Sequence, residues 1–170
     1  MTDLRDVHAT IFVAQAIAGP IEAARRDWDP LMAARIAAHV TLVYPEEAPN
    51  CDLLLDRIRG ACSITPPFRL RLGELTLFEG RDRGVYVSVD DIDGGFHTMR
   101  EQVLRPPFSR LAFRPHVTVM HPRTSRRGLE FLERSDYRTQ HREFTVQEIA
   151  ITAFDGTKWV VVRAFPLMCM

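Results

Sequence analysis

Residues 39–45 read His-Val-Thr-Leu-Val-Tyr-Pro, and residues 116–122 read His-Val-Thr-Val-Met-His-Pro. One pattern of histidine, apolar residue, threonine, apolar residue and closing proline therefore occurs twice. Its alternation predicts a β-strand in each copy. Because positions i and i+2 share one face of a strand, each histidine should project together with its threonine, while the intervening apolar residues point into the core.

The surroundings of the two motifs repeat as well. Leu75-Thr-Leu-Phe-Glu-Gly80 matches Ile151-Thr-Ala-Phe-Asp-Gly156, and strands and helices follow one another in the same order in both parts of the chain. We predict a single domain over 1–170 with an internal repeat, approximately 8–80 and 84–156, and a closing strand at 158–166. This order favours an α+β fold of two pseudo-symmetric lobes, each an antiparallel sheet with helices outside, with a central cleft between them.

The predicted element boundaries follow from proline positions and apolar spacing. Pro20 marks the first turn of a helix that runs to Trp28, and Asp29-Pro30 is expected to interrupt it and to begin a partly irregular segment. Later helices are predicted at 52–62, 96–104 and 125–134, strands at 68–78 and 85–89, and one continuous strand at 144–154.

Charge and cysteine content indicate which binding partners and which cellular compartment to expect. The 22 Lys and Arg residues balance the 22 Asp and Glu residues, so no basic stripe for long nucleic acid is expected. Cys51, Cys62 and Cys169 are an odd set without metal-ligand spacing, which favours a reducing compartment. We expect a cytoplasmic protein with no membrane segment and no obligate protein partner.

Two histidines and two threonines on one cleft are suited to acid–base chemistry on a phosphodiester. An imidazole titrates near neutral pH, so one ring can deprotonate the attacking oxygen while the other protonates the leaving oxygen. Hydroxyl groups can hold the non-bridging oxygens. A repeat has little structural reason to keep a histidine twice, so the doubling favours catalysis, and no metal or cofactor is needed.

The stretches His39-Val-Thr-Leu and His116-Val-Thr-Val, each leading to a proline, resemble the 2H phosphoesterase superfamily, as does the Arg114-Pro lead-in to the second motif. This superfamily includes bacterial 2'-5' RNA ligases and 2',3'-cyclic phosphodiesterases. The resemblance implies a bilobal fold with the motifs in a central cleft and metal-independent hydrolysis of cyclic phosphodiesters. It also implies that His39 is the proton donor and His116 the proton acceptor, and that Thr41 and Thr118 bind phosphate.

Six further side chains lie in or near the repeated segments. Arg114 shares the parity of His116, and Arg123 stands near the predicted helix start, so both are further candidates for phosphate binding. Strict alternation sends His121 and Tyr44 to the opposite face, which excludes them from the site. Phe78 and Phe154, at equivalent positions of the repeat, are expected in the core.

The sequence thus predicts hydrolysis of 2',3'-cyclic phosphates to 2'-phosphates, with a small nucleotide or an RNA terminus as the substrate. Two alternatives stay open. The same site could join RNA ends as an ATP-independent 2'-5' RNA ligase, or it could bind a nucleotide or phosphorylated metabolite without turnover.

Overall fold

The structure is a computed structural model that describes residues 6–80 and 83–168, so Cys169 lies outside the described residues. These residues form eight strands, namely β1 (Val7–Phe12), β2 (His39–Val43), β3 (Phe68–Leu77), β4 (Val85–Asp91), β5 (His116–Met120), β6 (Glu143–Val146), β7 (Glu148–Phe154) and β8 (Trp159–Pro166). The helices are α1 (Gln15–Trp28), α2 (Pro30–Arg35), α3 (Cys51–Ile64), α4 (Gly95–Val103) and α5 (Gly128–Arg134).

The strands form one antiparallel sheet in the order β6-β3-β4-β5-β2-β1-β7-β8. We call β2, β1, β7 and β8 the first half-sheet, and β5, β4, β3 and β6 the second half-sheet. The halves meet where Val40 of β2 pairs with Val117 of β5. The α+β class is confirmed, with one difference: the structure has a continuous sheet where the sequence predicted two.

The first half-sheet takes its strands from both ends of the chain, whereas the second takes four consecutive strands from the middle. β3 pairs with β4 and β6 in the second half-sheet, while β7 pairs with β1 and β8 in the first. The predicted units 8–80 and 84–156 therefore do not correspond to the two half-sheets, and the internal repeat stays a prediction.

The strand predicted at 144–154 is divided at Gln147 into β6 and β7. β6 pairs with β3, whereas β7 pairs with β1, so the chain crosses from one half-sheet to the other at this point. A strand that changes partners must leave one ladder before it joins the next, which is why the apolar pattern alone did not reveal the break.

The helix starts also differ from those predicted. α1 begins at Gln15, before Pro20, because the alanine-rich stretch there favours helix and buries Ile17 and Ala18. Pro30 begins α2 as its first residue, and the Asp29 carboxylate caps it by accepting the Met32 N–H at 3.3 Å.

Apolar side chains of the motif strands form one core with those of α1, α3 and α4. Val40 and Leu42 in β2 and Val117 and Val119 in β5 are 0% exposed, as the alternation predicted. No helix in the described ranges combines the length and the apolar character that a membrane span requires.

Candidate active site

The four motif side chains lie together on one face of the sheet, beside the junction of the half-sheets. Since Val40 pairs with Val117 in an antiparallel ladder, His39 stands across from Thr118, and Thr41 stands across from His116. Directly opposed side chains have Cβ atoms about 5 Å apart. The structure therefore brings together the four residues on which the sequence prediction rests, with the histidines at diagonal corners.

Both imidazoles are oriented by the same backbone hydrogen bond. His39 Nδ1 lies 2.8 Å from the carbonyl oxygen of Ala37, and His116 Nδ1 lies 2.8 Å from that of Arg114. A carbonyl oxygen can only accept, so Nδ1 carries the hydrogen in each ring. In the neutral form, each Nε2 therefore keeps a lone pair and is ready to take a proton.

The segment that leads into each motif is also held in an equivalent way. The Val13 N–H donates to the carbonyl of Ala38 at 3.0 Å, and the Val89 N–H donates to that of Pro115 at 2.9 Å. In both cases the residue just before the histidine is bound to the end of the neighbouring strand. The backbone under each imidazole is thereby fixed.

Two buried arginines support these lead-in segments from the helices. Arg25 of α1, 1% exposed, donates to the carbonyl of Ile36 at 2.7 Å, and Arg100 of α4, 5% exposed, donates to that of Leu111 at 2.9 Å. Each guanidinium satisfies backbone oxygens that would otherwise be buried without a donor. These arginines position the segments that carry the motifs, a role that the sequence prediction missed.

Burial favours the neutral form of both histidines. It lowers the pKa of His39 to about 4 and also lowers the pKa of His116 below its usual range, in both cases despite the carbonyl bond that favours the charged form. Each ring is therefore a base at neutral pH. An anion bound between them would raise both pKa values and favour protonation of one ring.

The two motif threonines have different surroundings. Thr41 is buried, and its side chain lies near the Tyr44 hydroxyl and moderates the rise in its pKa. Thr118 is partly exposed, and within the part of the chain that the structure describes its hydroxyl has no hydrogen-bond partner. The Thr118 hydroxyl is thus free to bind a ligand.

A β-bulge at the end of each motif strand overturns one sequence prediction. The register of β1 with β2 shifts between Ala9 and Thr10, and that of β4 with β5 shifts between Val85 and Tyr86. A bulge adds one residue to one strand, so strict alternation fails beyond it.

Two successive side chains are therefore buried in each strand, and the next one returns to the site face. These pairs are Leu42 with Val43 and Val119 with Met120, all 0% exposed. Placing Tyr44 on the opposite face was wrong, because its ring contacts that of His8, which alternates with the buried Val7 and Ala9. The shift in β5 turns His121 to the site face in the same way, against the expectation. The adjacent apolar pairs Leu-Val and Val-Met were the available signal.

The two candidate arginines lie near the motif but in different settings. Arg114 is exposed, and its carbonyl holds His116. Arg123 is exposed in the turn between β5 and α5, not at a helix start, since α5 begins only at Gly128. Its backbone N–H donates to His121 Nδ1 at 3.1 Å.

Aromatic rings surround His116 on the side of the second half-sheet. The rings of Phe78, Tyr86 and Phe113 have their centroids 5.4, 5.1 and 6.2 Å from that of His116. Phe78, expected in the core, is only partly buried. No cluster of three or more His, Cys, Asp or Glu side chains able to hold a metal occurs in 6–80 and 83–168.

An antiparallel sheet that presents a histidine and a threonine from each of two neighbouring central strands is the arrangement of a 2H phosphoesterase. The sequence matches the family model of the 2'-5' RNA ligase superfamily over residues 13–158, which include both motifs. The chain belongs to this superfamily, whose members are phosphoesterases and ligases that act on phosphodiesters.

Solved structures agree on the fold. Escherichia coli LigT in its apo form is 19% identical, with a TM-score of 0.67 over 99% of this chain and 100% of that one. LigT complexed with 3'-AMP is 18% identical, with a TM-score of 0.66 over 98% and 100% of the two chains. The protein TT0787 of Thermus thermophilus is 19% identical, with a TM-score of 0.64 over 96% and 98%. Among curated proteins there is no significant match.

Proposed function

We propose that this protein is a metal-independent phosphodiesterase that hydrolyses the 2',3'-cyclic phosphate of a nucleotide or an RNA end to a 2'-phosphate. One observation carries the proposal: His39 and His116 stand at diagonal corners of one site, each with Nδ1 bound to a backbone carbonyl. This leaves two Nε2 atoms, and the reaction needs two proton transfers.

In the proposed reaction, His116 Nε2 removes a proton from water as the water oxygen attacks phosphorus. The bond from phosphorus to the 3'-oxygen breaks, and protonated His39 gives its Nε2 proton to that oxygen. The product carries a 2'-phosphate and a free 3'-hydroxyl. Thr41 and Thr118 donate hydrogen bonds to the non-bridging oxygens, where negative charge develops.

His39 becomes able to act as the acid only after substrate binds. The pKa of His39 is about 4, so its ring is neutral near pH 7. A phosphodiester anion beside it raises that pKa and allows His39 to enter the reaction as an acid. The bonds from the two Nδ1 atoms to the carbonyls of Ala37 and Arg114 are equivalent and do not distinguish the acid from the base. The assignment therefore follows the pattern of the superfamily.

The substrate class is supported by charge and by the surrounding rings. Formal net charge is zero, which favours a small nucleotide or a single RNA terminus over a long polyanion. Phe78, Tyr86 and Phe113 provide ring surfaces beside His116 on which a base can stack. The relative LigT forms complexes with 3'-AMP and with NADP+. Arg114 and Arg123 are proposed to bind phosphate from the solvent side.

The first prediction is that His39→Ala and His116→Ala each lower kcat/KM for a cyclic mononucleotide by about 10²- to 10⁴-fold, because each removes one proton transfer. Product release followed by chromatography, with EDTA present, measures the effect. His97→Ala is the matched control, since His97 is exposed on α4 and bound to Asp91.

A double variant lacking both histidines that hydrolyses the substrate at the wild-type rate would rule out the proposal. Supplying a cyclic-ended RNA together with a 5'-hydroxyl RNA and seeking a 2'-5' product distinguishes ligation. Binding of a cyclic nucleotide without turnover across a wide pH range would instead favour the non-catalytic alternative.

A further inference from the structure

The turn that follows β5 is fixed by a buried carboxylate from the other end of the chain. Asp29, 1% exposed, lies between α1 and α2. Its Oδ2 accepts the His121 N–H at 2.8 Å and the Thr124 hydroxyl at 2.6 Å. Charge-assisted bonds of this kind hold a backbone segment firmly, so the position of His121 is set by the fold.

A hydrogen bond inside this turn also fixes the tautomer of His121. The Arg123 N–H donates to His121 Nδ1 at 3.1 Å, so Nδ1 must be the acceptor. The hydrogen of the neutral ring is therefore on Nε2. This is the reverse of His39 and His116, in which Nδ1 carries the hydrogen.

His121 is held neutral and on the site face. Burial, together with the positive charge of Arg123, lowers its pKa, although the Asp29 carboxylate acts in the opposite direction. The bulge in β5 brings His121 to the face that carries Thr118. A neutral ring with its hydrogen on Nε2 donates a hydrogen bond but has no free lone pair to serve as a base.

We propose that His121 is a third histidine of the site, which donates a hydrogen bond from Nε2 to a non-bridging oxygen of the substrate phosphate. This rests on the proposed function in so far as the ligand is a phosphate ester. His121 lies next to Thr118 along the site face. Together with Arg123 it gives the β5 side of the site more hydrogen-bond donors than the β2 side. On the β2 side, the equivalent residue is Tyr44, whose hydroxyl lies near the Thr41 side chain.

Two substitutions at His121 distinguish the Nε2 hydrogen-bond donor from the Nδ1 acceptor that stabilises the turn. His121→Asn keeps an acceptor near the position of Nδ1 for the Arg123 N–H but does not reach the position of Nε2. His121→Gln places an amide N–H near the position of Nε2. We expect His121→Asn to bind 2'-AMP about 10- to 100-fold more weakly, as for loss of a hydrogen bond to a charged group, and His121→Gln to keep most of the affinity.

Calorimetric titration with 2'-AMP measures binding, and thermal unfolding checks that both variants fold. Wild-type affinity in His121→Asn would overturn the proposal, as would equal losses in both variants. Imidazole ¹⁵N spectra of the wild-type protein give an independent answer: His121 should show its hydrogen on Nε2, and His39 and His116 on Nδ1. A hydrogen on His121 Nδ1 would exclude the proposed donor.

Failure of this proposal is distinguishable from failure of the proposed function. If the wild-type protein binds 2'-AMP through His121 but does not turn over cyclic nucleotides, only the hydrolase assignment fails. If turnover requires His39 and His116 while His121→Asn matches the wild type in binding and rate, only the role of His121 fails.

Discussion

The hydroxyl groups of Thr41 and Thr118 occupy equivalent positions in the two motifs, yet they are not equally available. Thr41 is buried beside Tyr44, whereas Thr118 is partly exposed and, in the described part of the chain, has no partner for its hydroxyl. A hydroxyl without a protein partner breaks no hydrogen bond within the protein when it turns to a ligand. We therefore expect Thr118 to contribute more to phosphate binding than Thr41.

Thr118→Val should lower kcat/KM by about 10²-fold, the scale for removal of one preorganised donor, because valine keeps the shape but loses the hydroxyl. Thr118→Ser should retain most of the activity, and urea unfolding of both variants should match the wild type. Steady-state kinetics with a cyclic mononucleotide measure the effect. Equal rates for Thr118→Val and the wild type would contradict the assignment.

At this scale the sequence predicted which side chains share a face, because strand alternation depends only on local geometry. It placed His39, Thr41, His116 and Thr118 together, and the structure has them on one face. It could not predict the carbonyl anchors, which depend on lead-in backbone held by other strands. Strict alternation wrongly excluded His121. The bulge that breaks this alternation depends on cross-strand pairing, which the local sequence does not reveal.

At the scale of elements, α4 is joined to the motif strands by a buried ion pair. Arg100 donates to both carboxylate oxygens of Glu47, which is 0% exposed, and to the carbonyl oxygens of Leu42 and Leu111. Glu47 also accepts the N–H groups of Tyr44 and Leu111. The pair thus connects α4, the end of β2 and the lead-in to β5.

Arg100→Met should lower the free energy of unfolding by about 3–5 kcal/mol, because it leaves the Glu47 carboxylate buried without its cation. The double variant with Glu47→Gln should recover part of this loss, since an uncharged amide can still accept the two backbone N–H groups. Urea denaturation followed by circular dichroism measures both. Losses that simply add in the double variant would contradict this account.

The elements themselves were predicted well where the signal was local. The strands at 68–78 and 85–89 and the helix at 52–62 lie close to β3, β4 and α3. The sequence did not reveal the division at Gln147, because β6 and β7 each pair with a strand that is far away in sequence. Likewise, Asp29-Pro30 begins a helix because the Asp29 carboxylate can cap it.

For the whole molecule, neutral and partly buried histidines make stability depend on pH. Burial lowers the pKa of His8 and of His39 to about 4, whereas an unfolded histidine titrates near 6.5. Between these values the unfolded chain binds more protons than the folded one, so acid favours unfolding. This contribution is complete above about pH 6.5 and is lost as the pH falls toward 4.

We expect the free energy of unfolding to decrease by about 1–3 kcal/mol for each such histidine between pH 6.5 and 4. His8→Phe should flatten the dependence, because phenylalanine keeps the stack on Trp159 without titrating. Urea unfolding at several pH values measures the slope, with His97→Gln, at an exposed site, as the control. An unchanged slope in His8→Phe would refute the assignment.

The first half-sheet joins strands from the two ends of the chain, which has a consequence for how the chain acquires its structure during synthesis. Thr10 of β1 and Thr152 of β7 form a buried hydrogen bond across 142 residues of sequence. β1 therefore emerges from the ribosome long before its second neighbour exists, and closing so large a loop is slow. A cut after residue 80 would separate β1, β2 and β3 from the other five strands. Neither half-sheet would then be complete unless the two fragments associated. The two histidines become aligned on one finished sheet only when translation is almost complete.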